Sequence, residues 1–130
     1  MKRLLDTDAY VAMKRNHPGV VSLVRESTEL VFSMVVVGEL LFGFRNRTRF
    51  AENFAELDEL LSDSRVTLFD VTRTTADRFG RLAASLRKAG TPIPTNDIWI
   101  AAHAFESGAE LVSFDAHFRA VQGLIWTHVA

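Results

Sequence analysis

The chain has 130 residues, with 15 Lys and Arg against 16 Asp and Glu, a formal charge of −1, so it carries no overall electrostatic footprint for nucleic acid and any phosphate contact must be local. A hydrophobic content of 48% with ten Phe is enough to build a core, which excludes intrinsic disorder and predicts a single domain over residues 1–130. The absence of cysteine excludes disulfides, thiolate catalysis and cysteine-ligated zinc, and no apolar run approaches the roughly 20 residues of a membrane span. Asp6 is reached after only two leucines, Leu4 and Leu5, too short for a signal-peptide core, so a cytoplasmic protein without membrane contact is expected.

Lys2 to Leu5 reads as a short strand, followed by a helix over about Thr7 to Lys14 and a break at His17-Pro18-Gly19. A second helix is predicted over Val20 to Arg25, then a brief strand from Glu29 to Phe32 that ends at Ser33, the N-cap of the next helix. Phe50, Phe54, Leu57, Leu60 and Leu61 recur at helical spacing and predict an amphipathic helix over about Thr48 to Leu61. Val66 to Phe69 is a strand, and Thr74 to Lys88 a helix stopped by Ala89-Gly90-Thr91-Pro92. Thr95 is expected to cap a helix over Asp97 to Glu106. Leu111 to Ser113 then forms a strand, Asp115 to Val121 a short helix and Leu124 to Thr127 a closing strand. Strands alternating with helices predict an α/β fold, a central, mostly parallel sheet covered on both faces, with functional groups gathered beyond the strands' C-terminal ends.

Four acids stand where an unpaired charge is costly. They are Asp6 after Leu4-Leu5, Glu39 inside Val35-Val36-Val37-Gly38-Glu39-Leu40-Leu41-Phe42, Asp97 before Ile98-Trp99-Ile100, and Asp115 after Leu111-Val112-Ser113-Phe114. Ordinary structural roles exist for two of them: Asp97 suits the first turn of a helix, and Asp115 serves equally well as an N-cap. Capping cannot account for Glu39, several residues into its helix. His17, His103, His117 and His128 lack the His-x-x-x-His spacing and the nearby cysteines of a zinc site, so an oxygen-only site suited to Mg²⁺, or Mn²⁺, is expected. No Gly-x-Ser-x-Gly elbow and no glycine-rich phosphate loop is present. Among the basic clusters, Arg45-Asn46-Arg47-Thr48-Arg49 is the densest, and Arg45, Arg47 and Arg49 are candidates to hold RNA phosphates.

Leu-Leu-Asp6-Thr7-Asp8-Ala-Tyr, Val37-Gly38-Glu39-Leu40, Pro94-Thr95-Asn96-Asp97-Ile-Trp-Ile-Ala-Ala and Leu111-Val112-Ser113-Phe114-Asp115-Ala-His-Phe together resemble the PIN-domain ribonucleases, and within them the VapC toxins of toxin-antitoxin pairs. The similarity runs from about Lys2 to Leu124. It implies a PIN-like three-layer α/β/α sandwich. It also implies an acidic quartet at Asp6, Glu39, Asp97 and Asp115, with Asp6, Asp97 and Asp115 on the metal, and supporting hydroxyls at Thr7, Thr95 and Ser113. The activity implied is cleavage of RNA to 5′-phosphate and 3′-hydroxyl ends, with a VapB-like antitoxin as partner and a homodimeric toxin. One departure is Asp8, where these toxins commonly carry Asn or Ser; it is expected to cap the first helix. Tyr10, Leu41 and Phe42 are expected to remain exposed and to meet the antitoxin. Two rival readings are a haloacid-dehalogenase-like phosphatase using Asp6 and Asp8, which lacks that family's later Lys and Gly-Asp motifs, and a non-catalytic PIN-like binding module, which predicts a missing acid where none is missing.

Overall fold

In the computed structural model, which describes residues 1–130, five strands pair in the order β3-β2-β1-β4-β5 and every pairing is parallel. They are β1 (Lys2–Leu5), β2 (Glu29–Ser33), β3 (Val66–Phe69), β4 (Glu110–Ser113) and β5 (Trp126–His128). The helices are α1 (Thr7–Lys14), α2 (Pro18–Glu26), α3 (Met34–Arg45), α4 (Phe50–Leu61), α5 (Arg73–Lys88) and α6 (Thr95–Ser107), with a 3₁₀ helix at Ala116–Ala120. Leu4 and Leu5, Val31 and Phe32, and Leu111 and Val112 are each at most 1% exposed. Neighbouring residues on a strand point to opposite faces, so the three central strands are covered on both sides, as the run of apolar residues in a parallel sheet requires. One continuous cluster of 23 buried residues forms the core, and no helix is long and apolar enough to cross a membrane.

The expected elements are all present, and the differences lie at their ends. Helix α2 starts at Pro18 rather than Val20, because proline fits a first helical position and the His17 ring nitrogen accepts from the Val20 N–H at 3.3 Å. Helix α4 starts at Phe50, leaving Arg47 and Thr48 outside it. Pro94, not Thr95, occupies the cap position of α6, which has no side-chain cap; Thr95 is already its first helical residue. Gly108 ends α6 with φ +72, a left-handed conformation that glycine adopts without strain. Strand β5 is shorter than expected and begins at Trp126.

The chain order sets the location of the site. From β1 the chain moves outward to β2 and β3, then returns to the other side of β1 to add β4 and β5. A reversal of this kind opens a crevice beyond the C-terminal ends of the strands that flank it. A buried histidine fixes the helix on one side of that crevice. His103 Nε2 lies 3.0 Å from the Asp70 carbonyl, which can only accept, so the ring carries its proton there and Nδ1 accepts from the Ser33 hydroxyl at 2.7 Å. Ser33 Oγ in turn accepts from the Val35 N–H at 3.1 Å and so caps α3. Replacing His103 with Leu leaves the Ser33 hydroxyl without its acceptor at a place where both residues are 0% exposed, and removes a donor from the Asp70 carbonyl. The expected cost is about 2–4 kcal/mol, read as a lower urea midpoint at unchanged m-value; a midpoint equal to that of the wild type would show that the triad contributes nothing.

Candidate active site

All four predicted acids line one open cleft of about 550 Å³, together with Thr7, Asp8, Asn96 and Thr95. Asp6 follows β1 and is 7% exposed. Its backbone continues the sheet, donating to the Val112 carbonyl at 3.3 Å, and its carboxylate is divided between two donors. Oδ1 accepts from the Ala9 N–H at 2.9 Å, so Asp6 is the N-cap of α1, and Oδ2 accepts a short hydrogen bond from Ser113 Oγ at the end of β4. The expectation that Asp8 caps this helix is therefore wrong: the cap is one residue before Thr7, and Asp8 lies exposed in the first turn, facing the cleft. The capping side chain must come from a residue in extended conformation, and Asp6, directly after the strand, is the last such residue before the helix.

Glu39 enters from α3. Thr7 donates to its Oε1 at 2.6 Å and Asn96, in the first turn of α6, to its Oε2 at 3.3 Å. Asp115 accepts from the His117 N–H at 2.8 Å, capping the 3₁₀ helix, while its own N–H donates to Ser113 Oγ at 2.9 Å. Asp97 comes from the first turn of α6. Two of the supporting hydroxyls, Thr7 and Ser113, thus bond acids directly, whereas Thr95 only lines the mouth. Asn96 and His117 were not anticipated. Asn96 could have been found from its place beside Asp97, and His117 from the tight pitch that returns a residue two positions after a cap to the capping carboxylate.

Charge accumulates in this cleft without a Lys or Arg to balance it: the only ion pairs made by the four acids are those of Asp97 and Asp115 with His117. Burial pushes the Asp6 carboxyl up to about 6, opposed by its bonds to Ser113 and Ala9 and assisted by the charges of Asp8 and Asp97. Asp97 is likewise pushed up to about 6 by burial and by Asp115, against the stabilising contact with His117 and with a further push from Glu39. This donor set of carboxylates, crowded and short of positive charge, fits a hard divalent cation.

Beside the cleft a second concavity of about 310 Å³ runs between α1, α3 and α4, sharing Thr7, Asp8 and Glu39 with it. Tyr10 lies on its floor but is 2% exposed, with its ring edge against Phe32, so it belongs to the core and not to an exposed contact surface as expected. Phe42 is 71% exposed and Leu41 partly buried, and neither lines this groove. Of the three candidate RNA contacts, Arg45 lies over the Phe50 ring at 4.3 Å and Arg49 pairs with Glu52, whereas Arg47 lines the groove.

The family profile described as PIN domain matches residues 3–124. A protein named ribonuclease VapC2 from Haemophilus influenzae is 34% identical over 115 residues, covering 87% of this chain and 86% of that protein. Among solved structures, VapBC-1 from nontypeable Haemophilus influenzae superposes with a TM-score of 0.84 at 26% identity, covering 98% of this chain and 97% of that one. VapBC2 from Rickettsia felis, bound to a DNA fragment from its promoter, gives 0.81 at 27% identity over 98% of both chains.

Crowding also has a stability consequence. A carboxyl that titrates near 6 when folded and near 3.8 when unfolded keeps its proton in the folded state between those values, so folding loses stability as pH rises through that window and the loss is complete above it. In EDTA, Asp97→Asn is therefore expected to stabilise the protein at pH 7.5 by roughly 1–3 kcal/mol and much less at pH 4.5. Thermal melts at the two pH values check this; an equal gain at both, or a loss at pH 7.5, would contradict the assigned repulsion.

Proposed function

The chain belongs to the PIN-domain family and, within it, to the VapC ribonucleases, and on that premise we propose that it is a divalent-metal-dependent endoribonuclease whose catalytic residues are Asp6, Glu39, Asp97 and Asp115. The observation that carries this reading is the convergence of four carboxylates from four separated segments in one open cleft with no Lys or Arg paired to any of them. Such a cluster is costly in isolation and becomes favourable around a cation. The phosphatase alternative leaves Glu39, Asp97 and Asp115 without a task, and a non-catalytic module would not need the quartet intact.

Asp6, Asp97 and Asp115 would hold Mg²⁺ or Mn²⁺. When bound, the cation supplies Lewis-acid chemistry, making water more acidic and offsetting charge on the scissile phosphate. Glu39, fixed by Thr7 and Asn96 on its two oxygens, accepts the proton of the attacking water. The water oxygen would bond to phosphorus as the bond to the 3′-oxygen breaks and that oxygen takes a proton from solvent, leaving 5′-phosphate and 3′-hydroxyl ends. Arg47, which lines the groove adjoining the cleft, would bind an RNA phosphate farther along the strand.

A VapB-like antitoxin is the proposed partner in the cytoplasm, the toxin itself being a homodimer as the family resemblance implies. The support lies in the shared wall: a peptide helix in the groove between α1 and α3 would lie against Thr7, Asp8 and Glu39, and from there a basic side chain could reach the carboxylates. Exposed Phe42, on the same helix as Glu39, extends the apolar surface offered to that partner.

Purified protein should cleave RNA in Mg²⁺ or Mn²⁺ and stop in EDTA, and Asp6→Asn, Glu39→Gln and Asp97→Asn should each lose at least about two orders of magnitude in rate. Retention of activity by all three variants, each checked for folding, would exclude the assigned site. For the partner, Phe42→Asp should weaken the antitoxin complex by about tenfold or more while RNA cleavage stays within about threefold. An unchanged antitoxin affinity would remove Phe42 from the interface without touching the nuclease assignment.

A further inference from the structure

Among the four histidines, only His117 sets a ring nitrogen against acids of the cleft. His103 uses both nitrogens in the core, on Ser33 and Asp70, His17 caps α2 through Nδ1, and His128 bonds the Phe114 carbonyl at 2.9 Å through Nε2. His117 Nδ1 lies 2.8 Å from Asp115 Oδ1 and 3.5 Å from Asp97 Oδ2. One donor atom from each of these three residues falls within 4.8 Å of the other two. Neighbouring donors around a six-coordinate ion with bonds of about 2.1 Å are about 3 Å apart, so the two distances from His117 Nδ1 already approximate those between neighbouring positions of a coordination shell.

The local fold produces the spacing. Asp115 is the cap of a 3₁₀ helix and accepts from the His117 N–H, which draws the following turn back over its own carboxylate. The imidazole remains 53% exposed, free to adjust by the fraction of an ångström that coordination requires. Binding the ion displaces the Nδ1 proton that faces the two carboxylates, and the neutral ring keeps its remaining proton on Nε2, leaving the Nδ1 lone pair for the ion.

We propose that His117 Nδ1 is a direct ligand of the divalent cation, making the centre a mixed oxygen and nitrogen site that favours Mn²⁺ over Mg²⁺. Mg²⁺ takes oxygen donors almost exclusively, whereas a first-row transition ion gains from an imidazole, so a single nitrogen separates two ions that four carboxylates would hold more evenly. The inference rests on the metal-centre reading given above and adds a donor of different chemistry to it.

The test is pulsed electron paramagnetic resonance of the full-length protein loaded with one equivalent of Mn²⁺, joined to titrations with Mn²⁺ and Mg²⁺. The wild type is expected to show ¹⁴N modulation from a coordinated imidazole, lost in His117→Ala. That variant should bind Mn²⁺ about tenfold or more weakly and Mg²⁺ within about threefold of the wild type. Bound Mn²⁺ without nitrogen modulation in the wild type, or modulation that survives in His117→Ala, overturns the proposal. So does a variant that binds Mn²⁺ as tightly as the wild type or more tightly, the latter showing that the imidazole competes with the ion for Asp97 and Asp115. The wild-type spectrum needs no variant to fold. If the wild type binds no Mn²⁺ at all, and Asp6→Asn behaves identically, the metal-centre reading falls as well; if Asp6→Asn abolishes binding that carries no nitrogen signature, only His117 is excluded.

Discussion

Neutral hydrogen-bond donors hold three of the four carboxylates of the cleft in position against the repulsion of the others. Asp6 is gripped by the Ala9 N–H and the Ser113 hydroxyl, Glu39 by Thr7 and Asn96, and Asp115 by the His117 N–H. These donors fix geometry without neutralising charge, which an arginine or lysine in the same places would do. The deficit of positive charge is thereby preserved, and it is the deficit, more than any single acid, that suits the cleft to a cation. The Ser113 hydroxyl is central to this arrangement, since it donates to Asp6 and accepts from the Asp115 N–H, joining the ends of β1 and β4 across the crevice.

The same economy reaches into the core. Ser33 caps α3 with one lone pair and gives its proton to His103, so the helix that carries Glu39 is tied through α6 to the Asp70 carbonyl just beyond β3. Asp97 and Asn96 are on that same α6. The two helices that flank the cleft are therefore connected both at its mouth, through Asn96 and Glu39, and deep in the interior, through His103 and Ser33.

Much of this was legible from residue patterns, and the reasons differ by element. The strands and helices announce themselves through apolar runs and helical spacing, and a mostly parallel sheet follows from their alternation, which the structure makes parallel throughout. Glu39 stood out because no capping role could explain an acid inside an apolar helix. What escaped were choices between adjacent residues of similar chemistry. Asp6 and Asp8 can each cap a helix, and only the extended backbone of Asp6 decides between them. Tyr10 reads as one of several apolar residues on a first helix, and the side of that helix turned toward Phe32 is a tertiary fact. Arg45, Arg47 and Arg49 form one basic run in sequence, yet Phe50 and Glu52 engage two of them and leave the third toward the groove. His117 lacked any spacing that marks a metal ligand because its partners are Asp115, two residues away, and Asp97, brought in by the fold.

The return of the chain across β1 also governs when the cleft can exist during synthesis. Domains acquire structure as the chain emerges from its N-terminal end, at about 5–20 residues per second. Asp6, Glu39 and Asp97 have all been made before β4 is available, and until β4 pairs with β1 the Asp6 carboxylate lacks the Ser113 hydroxyl and the cluster lacks Asp115. Over most of its translation the nascent chain consequently lacks a complete acidic cluster. The enzyme is assembled only after the strand that closes its site has cleared the ribosome, the very machine whose RNA surrounds it while it is being made.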